Sequence, residues 1–317
     1  MAYLLIADPT HTTIPQRIID FATQTLGWTA AGANRVAAPG SDAGITFEIG
    51  APVSTAPYRN RNTVTLMNGN TQTAYAMISA PYIMLVDQAP TKMHLFGSAG
   101  PVPYVAAVVE YTQGFFRHLY FGRLEKLGDY TGGEVVAGST VYAHYNNDSY
   151  DEDDFQYLFN GFQSGISAAA AGGVRLNHAE LGGVITAPFR AASSRAGGSQ
   201  TLAQNCVLGG FRDNVNDQQV ARGVNTFAGA QLLVPVNLYL TREASRISPI
   251  GKPPGVRLVN MTNIDPGTAI NVGGKTWRCF PQFRKGEATH ARSSSSLGTN
   301  YTTTETSYIV GYAYLED

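Results

Sequence analysis

The alternation of apolar and polar positions sorts this chain into one amphipathic helix followed by a long succession of strands. Near the start, Ile14, Ile18, Phe21, Ala22 and Leu26 recur at helical spacing, Pro15 stands in a first-turn position behind Thr12 and Thr13, and Gly27 closes the run. Beyond it the period shortens to that of strands. Residues 63–67 lead into Asn68-Gly69, a pair favoured in tight hairpins, and residues 73–79 can form the return strand. Residues 82–86 and 92–96 flank Asp87-Gln88-Ala89-Pro90, which reads as another reversal.

Two longer apolar-aromatic runs, 104–111 and 115–126, lie on either side of Gly114. In the second, Phe115, Leu119 and Phe121 share a face with Arg117 and Arg123, while Phe116, His118 and Tyr120 share the other, so both faces are expected to be covered. A turn at 129–133 precedes a short strand at 134–143. From 146 to about 222 the pattern weakens: an acidic stretch at 148–154, a small-residue run at 168–173 and a Ser/Gly-rich segment at 191–199 predict long loops with short elements. Alternation returns at 231–241 through Val234, Val236, Leu238 and Leu240, with Pro235 marking an edge or a bulge. Hairpins account for the C-terminal spacing: strands at 256–261, 269–272 and 275–280 separated by Asp265-Pro266-Gly267 and Gly273-Gly274, a Ser/Thr-rich basic loop at 284–304, and a closing strand at 308–315. The expected class is mainly β with a few helices: a β-sandwich or barrel-like core, one N-terminal helix and long loops. Residues 1–145 form an N-terminal β-rich part, 146–225 a loop-rich insertion, and 226–317 a C-terminal β part that packs on the first.

Composition narrows the functional classes. Lys and Arg total 22 against 23 for Asp and Glu, so no global positive field exists to hold phosphates, and sequence-specific nucleic acid is not an expected partner. Charged residues are 14% of the chain, below the roughly 25% of ordinary soluble domains, which points to a surface covered by neighbours. Residues 1–8 hold a short apolar stretch without a basic flank, ended by Asp8-Pro9, so neither a signal peptide nor a membrane span is expected. An intracellular origin then favours two free buried thiols at Cys206 and Cys279 over a disulfide.

Each chemical motif competes with a plainer reading. Ala269 to Thr276 satisfies the loose phosphate-loop pattern, which would set Lys275 on a phosphate and Thr276 on magnesium. A phosphate loop must open a helix, however, and Trp277-Arg278-Cys279-Phe280-Pro281 begins none, so a Gly-Gly hairpin is expected and no cofactor. The acidic stretch carries Asp148, Asp151 and Asp153 as weak candidate ligands for a hard divalent cation, but it lacks the glycine and terminal glutamate spacing of an EF-hand. A solvated loop, or a salt-dependent contact with a basic patch such as Arg278, Arg284 and Lys285 on a neighbour, explains it equally. His11, His94, His118, His144, His178 and His290 show no metal spacing, no GxSxG elbow is present, and Glu110, Glu125 and Glu134 near strands have no context that would pair them for hydrolysis. No nucleophile can be nominated and the expectation is a non-enzymatic protein.

The segments 116–122 (FRHLYFG), 126–133 (KLGDYTGG), 247–283 (ISPIGKPPGVRLVNMTNIDPGTAINVGGKTWRCFPQF) and 308–312 (YIVGY) resemble virion structural proteins of tailed bacteriophages. The likeness covers about half the chain and contains no catalytic motif. It implies a tail, baseplate or neck component, repeated by ring symmetry, whose partners are other phage virion proteins and copies of itself, without a membrane. The implied location is the virion, assembled in the host cytoplasm. A head-to-tail connector or capsid decoration protein is the alternative position; a host-glycan binding module and a glycan or peptidoglycan hydrolase are the alternative classes.

Overall fold

The computed structural model describes residues 1–40, 45–50, 61–68, 71–72, 82–84, 89–111, 114–130, 132–139, 141–142, 155–156, 158, 175–178, 207–209, 233–241, 247–282, 289–293, 300–304 and 310–317. The chain is mainly β. Two antiparallel sheets face each other across an aromatic core. The first runs in the order Ala2–Ala7, Pro90–Ser98, Tyr104–Tyr111, Phe115–Gly122, Gly132–Ser139 and Arg175–His178. The second runs Val234–Pro235, Val256–Asn260, Val310–Leu315, Lys275–Pro281 and Ala269–Val272. Among the described residues no strand pairs with both sheets, so the two stack as a sandwich.

Strict alternation assigns each side chain to a layer. Phe96, Tyr104, Ala106, Val108, Phe116 and Tyr120 project from the first sheet onto Val256, Leu258, Phe280, Tyr312 and Tyr314 of the second. Aromatic rings mesh there: Phe96 stacks on Tyr314 at 5.1 Å between centroids, and Tyr104 stacks on Tyr120 at 5.5 Å. Burying such rings stabilises by about 1.5–3 kcal/mol each, so this interface is the main energetic bond between the N- and C-terminal parts of the chain. On the opposite face of the first sheet, Met93, Leu95, Val105, Ala107, Val109, Leu119 and Phe121 pack under the helix. Both faces of the central strand Phe115–Gly122 are thus covered, as its unbroken aromatic run implies.

The helix forms as Ile14–Asp20 with Pro15 in its first turn, then loosens into a π-turn at Phe21–Thr25 before Gly27 adopts a left-handed φ of +68°. Its apolar stripe, Ile14, Ile18, Phe21 and Ala22, is buried together with Leu26 and Trp28. A smaller sheet made of Thr29–Gly32, Arg35–Ala37, Ile45–Ile49, Arg61–Asn68 and Thr71–Gln72 adds Val36, Phe47 and Ile49 to this layer. Asn68 pairs with Thr71, so the Asn-Gly pair does sit at the mouth of a hairpin; residues 73–79 lie outside the described residues. Of the segment where a reversal is expected, 87–90, residues 87 and 88 lie outside the described residues. Tyr82–Met84 pairs with Arg61–Thr63, whereas Pro90–Ser98 inserts between Ala2–Ala7 and Tyr104–Tyr111. Local turn residues cannot choose between adjacent and distant strand partners, and here burial on both faces of Pro90–Ser98 selects the distant ones.

The stretch 146–225 contributes to several layers. Phe155–Gln156 pairs with Val141–Tyr142, Arg175–His178 ends the first sheet, and Val207–Gly209 joins Leu238–Thr241, Ile247–Lys252 and Glu125–Lys126 in a further sheet. Leu158 is buried in the inter-sheet core, where its carbonyl accepts from the Tyr312 hydroxyl at 3.4 Å.

Candidate functional site: an open sheet edge

Strand Ala2–Ala7 (AYLLIA) forms one edge of the first sheet and pairs only with Pro90–Ser98 among the described residues. Asp8 continues the ladder by donating its N–H to the Thr91 carbonyl at 3.0 Å. By the alternation of an antiparallel ladder, Ala2, Leu4 and Ile6 turn their backbone groups inward, and Tyr3, Leu5 and Ala7 turn theirs outward. Leu4 is 40% and Leu5 48% exposed, and Met1 is exposed beside them; elsewhere among the described residues the exposed large apolar side chain is Leu127. No charge, proline or bulge interrupts the strand. Such devices keep solvent-facing edges from recruiting another strand, and their absence makes this edge competent for strand addition.

The other sheet ends differ. Arg175–His178 carries a cation and meets its neighbour through a register shift, Val234–Pro235 contains a proline, and Ala269–Val272 is four residues long. All three are blunted edges in the sense that strand pairing requires.

The open strand is fixed to the sandwich through Tyr3. Its hydroxyl shares a 3.0 Å hydrogen bond with His94 Nδ1, its ring lies tilted against Phe96 at 5.0 Å between centroids, and the Arg278 guanidinium lies over it at 4.7 Å. Arg278 is itself held by Glu316 at 2.9 Å and donates to the Gly267 carbonyl at 2.7 Å. Burial pushes His94 down to about 4, with Arg278 and Lys92 acting in the same direction, so the imidazole is neutral near neutral pH. Burial also raises the Tyr3 phenol, against the pull of Arg278.

Deeper in the sandwich, His118 is fully enclosed: Nδ1 meets the Tyr314 hydroxyl at 2.8 Å and Nε2 meets the Pro281 carbonyl at 3.0 Å. With a carbonyl as its partner, Nε2 carries the proton and Nδ1 accepts from Tyr314. Burial lowers this histidine to about 3. These contacts tie the two sheets together and leave no ring nitrogen for a metal or a proton transfer.

The remaining candidates from sequence are placed as follows. Asp148, Asp151, Asp153, His144, Cys206, Arg284 and Lys285 lie outside the described residues. The phosphate-loop-like segment is a hairpin, Ala269–Val272 with Lys275–Pro281, turned by Gly273 and Gly274 at φ +62° and +73°. No helix follows, and the Thr276 N–H and hydroxyl are both engaged by the Asp317 carboxylate, at 2.7 and 3.2 Å. Cys279 is a free, buried thiol that burial raises to about 12, which removes it as a nucleophile. Glu110 pairs with Lys92 at 3.2 Å and Glu125 with Lys252 at 3.0 Å. Among the described residues no three His, Cys, Asp or Glu side chains gather to hold a metal ion, and no helix is long and apolar enough to cross a membrane. The edge strand is the feature that sequence reasoning misses: six apolar letters raise only the question of a leader or a span, and the pairing with Pro90–Ser98 on one side alone reveals an edge.

No protein-family model matches this chain, and no curated protein is similar to it at a significant level.

Proposed function

We propose that this protein is a non-enzymatic structural subunit of a tailed-phage particle, a tail or baseplate component that bridges neighbouring subunits by strand addition. The observation that carries the reading is the uncharged, unblunted edge Ala2–Ala7, with Leu4 and Leu5 open to solvent and the outward backbone groups of Tyr3, Leu5 and Ala7 available for a further ladder. Three features support it. The resemblance of segments 116–133 and 247–283 to virion proteins involves the strands that build the two main sheets. His118 is engaged in buried hydrogen bonds, Cys279 is buried, and Glu110 and Glu125 are held in ion pairs. The low charge, 14% of residues, suits a surface enclosed by neighbours.

The test is direct detection in particles. Virions from the genome that encodes this chain, purified on a density gradient, are expected to contain it by mass spectrometry, and antibodies to the purified chain are expected to label the tail or its tip in electron micrographs. Intact, infectious particles that lack the chain would overturn the proposal.

A further inference from the structure

The open edge has a specific complement, and it is the edge itself. We infer that Ala2–Ala7 pairs with the same strand of a second copy, antiparallel about a two-fold axis through Leu5, joining two first sheets into one continuous sheet. The inference deepens the subunit reading above and rests on it for its biological setting, although the pairing is a property of the isolated chain.

Backbone polarity sets the register. In an antiparallel ladder only residues with outward N–H and C=O groups can form the reciprocally bonded pairs, and here those residues are Tyr3, Leu5 and Ala7. Pairing about Leu5 sets Leu5 against Leu5 and Tyr3 against Ala7, so every outward group of the strand finds a partner. A register moved by one residue would oppose outward to inward groups, and one moved by two would carry the pairing off the strand, setting Tyr3 against Pro9, which has no N–H, or Ala7 against Met1. Leu4 then lies beside Ile6 of the other copy, and both exposed leucines gain apolar neighbours.

Charge selects the occupant. Ala2–Ala7 contains no ionisable residue except Tyr3, so self-pairing brings no like charges together. Nothing on the strand would favour a charged foreign segment over this uncharged one. The other edges of the two main sheets are shortened, bulged or carry a cation or a proline, and the uncharged edge Asn300–Thr304 of the separate two-stranded sheet is polar where Ala2–Ala7 is apolar. A strand-to-strand contact of this length buries well under the ~1,000 Å² of a stable interface, so the pairing is reversible in solution and becomes permanent only when other contacts hold two copies in place.

Site-directed crosslinking tests it. In a Cys206→Ser background, where Cys279 remains buried, Leu5→Cys is expected to form a disulfide-linked dimer under mild oxidation at least about tenfold faster than Leu127→Cys, because the pairing raises the local thiol concentration; Leu127 is equally exposed but lies off the edge. The mass measured by light scattering is expected to rise with concentration, and Leu5→Lys, which sets two cations against each other across the axis, should abolish that rise while leaving the melting temperature unchanged. Equal crosslinking rates at positions 5 and 127, or a dimer that survives Leu5→Lys, would overturn the inference. If the chain is found in particles but Leu5→Cys fails to crosslink, the pairing alone falls; if Leu5→Cys crosslinks and the particles lack the chain, the subunit reading falls and the pairing stands.

Discussion

His118 and His94 are sealed into the sandwich as neutral imidazoles, and this couples folding to pH. Both sit below the ordinary value of 6.5 in the folded chain, at about 3 and about 4, because burial penalises the charged ring. Between those values and about 6.5 the unfolded chain binds more protons than the folded one, so stability falls as pH falls through that window. The expected loss is about 1.4 kcal/mol per pH unit for each histidine, measurable by urea denaturation from pH 7 to pH 4. His118→Leu should roughly halve the slope of the profile between about pH 6.5 and 4, and it should cost about 1–3 kcal/mol at neutral pH, since the Tyr314 hydroxyl and the Pro281 carbonyl would lose their buried partner. Gly255 is the other residue on which the core depends. Its φ is +69°, and a Cβ there would overlap the Tyr104 ring, itself stacked on Tyr120. Gly255→Ala is expected to lower the unfolding free energy by about 2–4 kcal/mol, combining left-handed strain with overpacking.

Among the elements, the edge strand Ala2–Ala7 has an attachment that a single substitution can loosen. One ladder and the Tyr3 contacts with His94, Phe96 and Arg278 hold it, while Leu4 and Leu5 remain in solvent. Tyr3→Phe removes the hydrogen bond and keeps the ring, so amide exchange at the inward residues Ala2, Leu4 and Ile6 should accelerate about five- to tenfold, equivalent to roughly 1 kcal/mol, with little change elsewhere. An unchanged exchange rate would assign the attachment to the ladder and the ring packing alone. The hairpin Ala269–Val272 with Lys275–Pro281 illustrates the opposite case. Two consecutive glycines at positive φ and a ladder from Ala269–Arg278 to Val272–Lys275 make it a local unit that closes on the Asp317 carboxylate.

At the scale of the whole molecule, the N-terminal and C-terminal segments share one core, with Phe280 touching the rings of His94, Phe96 and Phe116 from across the sandwich and that of Tyr314 within its own sheet. Phe280→Ala should therefore cost about 3–5 kcal/mol and shift the unfolding of both sheets together, seen as coincident near- and far-ultraviolet circular dichroism transitions. Two resolved steps within each signal would show that the sheets unfold as independent units. By itself the sequence determined what depends on local spacing. The helical stripe from Ile14 to Leu26, the two-faced strand around His118, the Gly-Gly hairpin that excludes a phosphate loop, and hence the mainly β class, all follow from neighbours within a few residues. Only the tertiary structure decided which strands are adjacent. It sends Pro90–Ser98 to Ala2–Ala7 instead of Tyr82–Met84, brings Tyr3, His94 and Arg278 together, and leaves one apolar strand at an edge. The physical reason is that a strand's alternation records which side chains are buried but not which backbone lies beside it; that choice is made by hydrogen bonds between residues far apart in the chain, and the open edge exists only once they have formed.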